Sequence, residues 1–182
     1  MASIEMLVLL SGPVAVGKTT LRQALMATHQ FDYVRSSGYL KQIAAQRSLK
    51  GERTGLQDLG DDLDRLTDYR WLLDEVARPG FAASPDQRRW LIDAVRKHRQ
   101  VEHLRAAYGD AILHVHLHAS EAVLRQRYAA RDDVTPYDVA VQHDNEIASR
   151  SLVGIADLVI DMGATPVEQA AQLVAGRLKN QP

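Results

Sequence analysis

The chain has no cysteine, which excludes a disulfide framework and any metal site built on thiolates while leaving the redox compartment open. It also lacks an excess of charge of either sign, since 22 basic residues stand against 23 acidic ones for a formal net charge of -1. That balance argues against a broad basic face for non-specific duplex binding, and only local basic clusters are left for such a role. No apolar run approaches the roughly 18 residues of a membrane span, and the opening MASIEML carries no basic n-region. The expectation is a soluble cytoplasmic protein with no membrane partner. Repeats, low-complexity tracts and linkers are absent too. With 46% hydrophobic and 25% charged residues, the 182 positions are expected to form one domain with a full core.

What is present is an alternation of short apolar runs with longer helical patterns. Strands are expected at MLVLLS (6–11), FDYVRS (31–36), RWLID (89–93), AILHVHLH (111–118) and ADLVID (156–161). Helices are expected at about 18–28, 38–48, 54–77, 94–107, 119–131, 136–149 and 166–178, with RPGFAASPDQ (78–87) as a loop because of its glycine and prolines. Strands alternating with helices imply βαβ units, hence a parallel five-stranded sheet covered on both faces, a three-layer α/β/α arrangement. Two helical segments between the second and third strands suggest an insertion over the carboxyl edge of the sheet, where open α/β sheets bind ligands.

After the first strand and before the first helix stands Gly12-Pro13-Val14-Ala15-Val16-Gly17-Lys18-Thr19, which matches G-x-x-x-x-G-K-[ST] at every required position. Its glycines let the backbone N–H groups turn inward, the helix N-terminus adds positive potential, and Lys18 neutralises β- and γ-phosphate charge. Thr19 would offer its hydroxyl to Mg²⁺. A glycine turn capping an ordinary helix is the plain alternative, but such a turn has no use for the lysine. The expected ligand is ATP with Mg²⁺, contacted by Gly12, Val14, Ala15, Val16, Gly17, Lys18, Thr19 and Thr20.

An acceptor must be read elsewhere. A phosphate acceptor favours guanidinium groups, whereas a hydroxyl acceptor needs a carboxylate within reach as general base. Asp93 ends an apolar strand and is a candidate metal-binding and catalytic carboxylate, with a helix N-cap as its plain alternative. Arg127 and Arg131 lie four residues apart, so on a helix they share a face. Arg35 ends the second strand and either points to substrate or pairs with an aspartate.

These residues resemble the P-loop nucleoside monophosphate kinases, closest to the phage-type deoxynucleoside monophosphate kinases. SSGYLKQ (36–42) is similar to the S-T-G-D-x-L-R element of adenylate kinases, with Tyr39 in place of the acidic residue and Lys41 in place of arginine. ERTGLQDLGDDL (52–63) resembles R-x-x-L-Q-x-x-G, and WLIDAVRKHRQVEHLR (90–105) resembles a strand-end D-x-x-R followed by a helix. HASEAVLRQRYAARDD (118–133) looks like the lid-forming helix, and ADLVIDMGATPVEQAAQLV (156–174) like the final strand, adenine-side loop and closing helix. The resemblance implies a single P-loop kinase domain over 1–182, with an acceptor-binding insertion at about 37–80 and a short lid at about 119–138. It further implies that Arg53 and Arg96 grip the acceptor phosphate, that Gln57 meets its base, and that Ser37 and Lys41 belong to the acceptor region. Gly163 and Thr165 would border the adenine, and Arg127 with Arg131 would close over the transferring phosphoryl group.

The expected reaction moves the γ-phosphoryl of ATP to a nucleoside monophosphate, a deoxynucleotide by that resemblance, in a monomer or homodimer. Two alternatives remain open. One is a P-loop kinase acting on a hydroxyl, such as 5-hydroxymethyluridine in DNA, with Asp93 as base and nucleic acid as partner. The other is an ATP-binding switch with no small acceptor. His114, His116 and His118 alternate along one strand, a spacing that suits zinc, but hydrogen-bonded packing histidines are the expected reading. Asp61, Asp62 and Asp64 could line a pocket, but a solvated helix face is the expected reading, and RKHRQ (96–100), a basic run that could touch nucleic acid, is expected as a helix face with only Arg96 turned inward.

Overall fold

The computed structural model describes residues 4–47, 53–131 and 135–177, apart from the side chains of Arg53 and Thr54. The elements in chain order are β1 (Met6–Ser11), α1 (Lys18–His29), β2 (Asp32–Val34), α2 (Ser36–Gln46), α3 (Arg53–Thr67), α4 (Arg78–Ala83), β3 (Arg89–Asp93), α5 (His98–Tyr108), β4 (Ile112–His118), α6 (Glu121–Ala129), α7 (Tyr137–Ala140), α8 (Asp144–Ser151), β5 (Leu158–Asp161) and α9 (Val167–Gly176). The strands form one sheet of order β2-β3-β1-β4-β5, and every pairing in it is parallel.

All of β1 is buried, as expected of a central strand covered on both faces. Its side chains alternate between two cores. Val8 and Leu10 pack with Leu21 and Leu25 of α1, Leu124 of α6 and Val174 of α9. Leu7 and Leu9 pack with Trp90 and Ile92 of β3, Val101 and Leu104 of α5, and Trp71, Leu72 and Phe81 from the segment between β2 and β3. The result is a three-layer α/β/α fold whose carboxyl edge brings Leu10 beside Asp93 and Ser11 beside His116. Among the described residues no helix is long and apolar enough to cross a membrane.

The boundaries of the elements between β2 and β3 differ from expectation. The pattern over 54–77 breaks after Thr67, because Asp68 and Tyr69 adopt φ of 48° and 62°. Thr67 Oγ1 secures the break by donating to the Leu63 carbonyl at 2.7 Å and accepting from the Trp71 N–H at 3.1 Å. A π-helical turn, Leu72–Ala77, then runs directly into α4, so the segment expected as a loop at 78–87 is helical in its first part. Pro79 stands at the junction of the π-helical turn with α4. Gly80 lets α4 approach β2, since a Cβ there would stand 2.3 Å from Val34 Cγ1. The helix expected over 136–149 divides into α7 and α8, and His143 caps the latter by accepting from the Asn145 N–H at 3.1 Å.

Candidate active site

The loop from Gly12 to Gly17 leaves β1 at the centre of the carboxyl edge and enters α1. Gly12 has φ of 130° and passes so close to β4 that an added Cβ would lie 2.2 Å from the Leu117 carbonyl oxygen, a position only glycine tolerates. Lys18 folds back over the loop and donates to the Gly12 and Pro13 carbonyls at 2.6 and 2.8 Å. Burial pushes its ammonium down from 10.5 to about 8, opposed chiefly by the nearby Glu146 carboxylate.

Helix α8 packs onto this loop. Glu146 Oε1 accepts the Val14 N–H at 2.6 Å, and Ser149 Oγ accepts from Gly12 N at 3.3 Å and donates to Gly12 O at 3.1 Å. A carboxylate thus holds one amide of a loop whose geometry suits phosphate. Glu146 and Ser149 lie three positions apart and share a face of α8.

A cavity of about 280 Å³ is lined by the loop, Lys18, Thr19, Asp93, Ala94, Arg96, Arg131, Glu146 and Ser149. A second, of about 340 Å³, is walled by Leu40, Leu56, Trp71 and Leu72 and carries Ser36, Ser37, Lys41, Gln57, Asp64, Arg96, Gln100 and Asn145. Ala94 and Arg96, just past the tip of β3, line both.

The structure therefore gathers Ser37, Lys41, Gln57 and Arg96 around one cavity, and Thr19, Asp93 and Arg131 around the other. Asp93 is ion-paired with Arg22 of α1. Arg22 is buried, with its guanidinium 4.3 Å over the Tyr33 ring. Thr20 is exposed on α1 beyond the cavity lining. Arg53 opens α3, but its side chain lies outside the described residues.

Two residues, Arg127 and Arg35, stand elsewhere than expected. Arg127 does not share the cavity with Arg131; it donates to the Val16 carbonyl at 3.0 Å and the Met162 carbonyl at 2.8 Å, tying the loop to the end of β5. Arg35 is exposed, 5.9 Å from the Tyr33 ring, and lines neither cavity. Gly163 and Thr165 form a turn on Asp161, through bonds of 2.8 Å each, just past the Met162 carbonyl that Arg127 holds.

The aspartates of α3 do not share a solvated face. Asp62 is exposed and pairs with Arg65, whereas Asp61 pairs with Lys97 at 3.4 Å and accepts from Asn145 Nδ2 at 3.2 Å. Asp64 is buried beneath Trp71 and Gln100. Burial raises its carboxyl above the usual range, against the hydrogen bonds from Trp71 and Gln100. In the basic run after β3 it is Gln100 that is buried, accepting the Arg96 N–H at 3.0 Å, and Lys97 that is half-buried against Asp61, whereas Arg96 is exposed where it lines the two cavities.

His114 and His116 both meet Ser11 Oγ, at 2.8 Å through Nε2 and 2.9 Å through Nδ1 respectively. Burial lowers both imidazoles to about 4, so they are neutral packing groups under the loop. His118 is exposed. Among the described residues no group of three or more His, Cys, Asp or Glu side chains could hold a metal ion. Glu146, Ser149, Asn145 and Gln100 were not identified from sequence as site residues, and Asp64 only as one of three aspartates that could line a pocket. For Glu146 and Ser149 the signal available in advance was their shared helix face.

A family model described as an AAA domain matches residues 8–148. No curated protein matches. Among solved structures, the chain resembles a gluconokinase from Sinorhizobium meliloti 1021 at 17% identity, with 97% of this chain and 95% of that one covered and a TM-score of 0.62. It resembles a putative kinase from Chloroflexus aurantiacus at 16% identity, with both chains fully covered at 100% and a TM-score of 0.59. A shikimate kinase from Bacteroides thetaiotaomicron is similar at 14% identity, with 96% and 98% covered and a TM-score of 0.53. At such identities the likeness shows a shared fold and nothing further.

Proposed function

The chain belongs to the AAA-domain family over residues 8–148, and from that premise we propose that it is a phosphotransferase moving the γ-phosphoryl group of ATP to a small anionic acceptor, a nucleoside monophosphate. The observation that carries this reading is the pair of adjoining cavities that share Ala94 and Arg96. One has the loop and lysine that suit a triphosphate; the other combines the cations Lys41 and Arg96 with an apolar wall including Trp71, which suits a phosphate joined to a flat base.

In this reading the loop amides and Lys18 hold the donor, and Arg131 adds positive charge beside them. Arg96, at the junction, meets the phosphoryl group in transit, while Ser37, Lys41 and Gln57 hold the acceptor and Arg53 opens the helix above it. Arg127 acts as a positioning residue that locks the loop to the β5 end, beside the Gly163–Thr165 turn that would border the adenine. Thr19 and Asp93 both line the donor cavity with hard oxygen donors, and Asp93 Oδ2 is the oxygen engaged by Arg22, so the donor set fits Mg²⁺. Bound there, Mg²⁺ would neutralise phosphate charge. Transfer is direct, by attack of the acceptor oxygen on the γ-phosphorus with release of ADP, and needs orientation and charge neutralisation rather than a covalent intermediate.

A second reading keeps the donor site and takes a hydroxyl acceptor, with Asp93 as base. It is favoured by the gluconokinase and shikimate kinase among the similar structures, which are named for acceptors other than nucleotides. Lys41→Ala tests the assignment of the acceptor cavity under either reading. Loss of a charge-assisted hydrogen bond should raise the acceptor KM about 10- to 100-fold and leave the ATP KM within roughly threefold. An effect confined to ATP would refute the assignment.

A further inference from the structure

We propose that Asp64 determines acceptor specificity by accepting a hydrogen bond from an N–H or O–H group of the acceptor; the inference rests on assigning the cavity between α2 and α3 to that acceptor. Asp64 is 4% exposed, yet its side chain lines this cavity. Burying a carboxylate is costly unless its oxygens are satisfied. Trp71 Nε1 donates to Oδ1 at 2.7 Å and Gln100 Nε2 donates to the same oxygen at 3.0 Å. Among the described residues no bond ends on Oδ2. The nearest basic side chain by electrostatic effect, Lys97, pairs with Asp61 instead.

Both donors are fixed in turn. Trp71 stacks on Tyr39 at 5.9 Å between ring centroids, and Gln100 uses its Oε1 on the Arg96 N–H at 3.0 Å. The carboxylate is thereby oriented with one oxygen consumed and, among the described residues, the other left to accept. An ionised carboxylate only accepts, so the complementary ligand group is a donor. Around it the cavity is largely apolar, with Leu40, Leu56 and Leu72 in its wall. A few fixed polar groups in an apolar pocket are what orient a small ligand. The shared chemistry is an amino group of a nucleobase or a hydroxyl of a sugar acid.

Calorimetric binding of matched pairs separates these sources. The amino arm compares dCMP with its analogue lacking the 4-amino group, and dAMP with its analogue lacking the 6-amino group. The hydroxyl arm compares gluconate with its monodeoxy analogues. Wild-type protein should prefer the donor-bearing member of one pair by about 10- to 100-fold, because a site built around a hydrogen bond rejects the analogue that leaves it unpaired. Asp64→Asn, which keeps the shape and offers a donor instead, should reduce that preference to within about threefold while its melting temperature and ATP affinity confirm folding.

No preference in any wild-type pair overturns the proposal without recourse to a variant, and so does an unchanged preference in Asp64→Asn. Failure of every compound to bind overturns it as well. Labelled ATP added to the same complexes reports separately on transfer. A discriminated ligand that takes no label leaves Asp64 as the reader and removes the phosphotransferase reading.

Discussion

Replacing Glu146 with glutamine should tighten ATP binding. The carboxylate sits in the loop that would receive the phosphates, 2.6 Å from the Val14 amide, and is buried. An arriving triphosphate must take that amide and tolerate the negative charge, or displace it. A charge-assisted hydrogen bond contributes about 1.5–3 kcal/mol and a neutral one roughly half as much. The substitution keeps the shape and lowers the cost of displacement by about 0.8–1.5 kcal/mol, which corresponds to roughly 4- to 12-fold tighter binding. The effect is best read at pH 7, because Glu146 also supports the charged form of Lys18, whose ammonium lies at about 8. Titration of both proteins with a fluorescent ATP analogue in the presence of Mg²⁺ gives the two dissociation constants, with thermal melting as a control for folding. Binding that is weaker, or equal within twofold, would refute the argument that Glu146 competes with phosphate.

Two pH profiles follow from the buried bases. Lys18 titrates at about 8 in the free protein, and a bound triphosphate favours its charged form. ATP affinity should therefore be level below pH 7 and fall towards tenfold per pH unit above pH 8, a slope that Lys18→Met removes; a level profile to pH 9.5 contradicts this. His114 and His116 are lowered from 6.5 to about 4, so the unfolded chain takes up protons in that window and the folded chain does not. Stability is complete above pH 6.5 and is lost as pH falls towards 4, by about 1.4 kcal/mol per pH unit for each imidazole. Urea unfolding at pH 7.5 and 5 measures the loss, which His116→Gln should roughly halve; an equal loss in both proteins would exclude His116 as a source.

Much of this architecture is legible in the chain because local patterns carry it. The run MLVLLS, short and bounded by a glycine turn, reads as a strand covered on both faces, and the glycines and Lys18 after it describe their own backbone requirement. Ser37 and Lys41 of α2, Gln57 of α3 and Arg96 after β3 come from three segments yet line one cavity, since the short connections of the fold leave little choice of where α2 and α3 lie. What was not legible depends on distant partners. Asp64 stands among other aspartates on α3, and its burial is decided by Trp71 beyond an unsignalled break and by Gln100 on another helix. That break needs left-handed backbone at Asp68 and Tyr69, where neither glycine nor proline marks it. Glu146 looks like an ordinary exposed helix charge until α8 is seen against the loop. Arg127 shares its helix spacing with Arg131 but spends its guanidinium on two carbonyls, which no spacing rule could have told.

The central claim is that the two cavities joined at Arg96 form a donor site and an acceptor site. Its most direct test is transfer of label from γ-labelled ATP with Mg²⁺ to a panel of nucleoside monophosphates, nucleosides, sugar acids and base-modified DNA, beside a control without acceptor. The account predicts labelled diphosphate from one or a few monophosphates, lost in Lys18→Ala. Label appearing only in a hydroxyl compound or in DNA would move the chemistry to Asp93 as base. Label released only as inorganic phosphate, at a rate no acceptor alters, would contradict the claim.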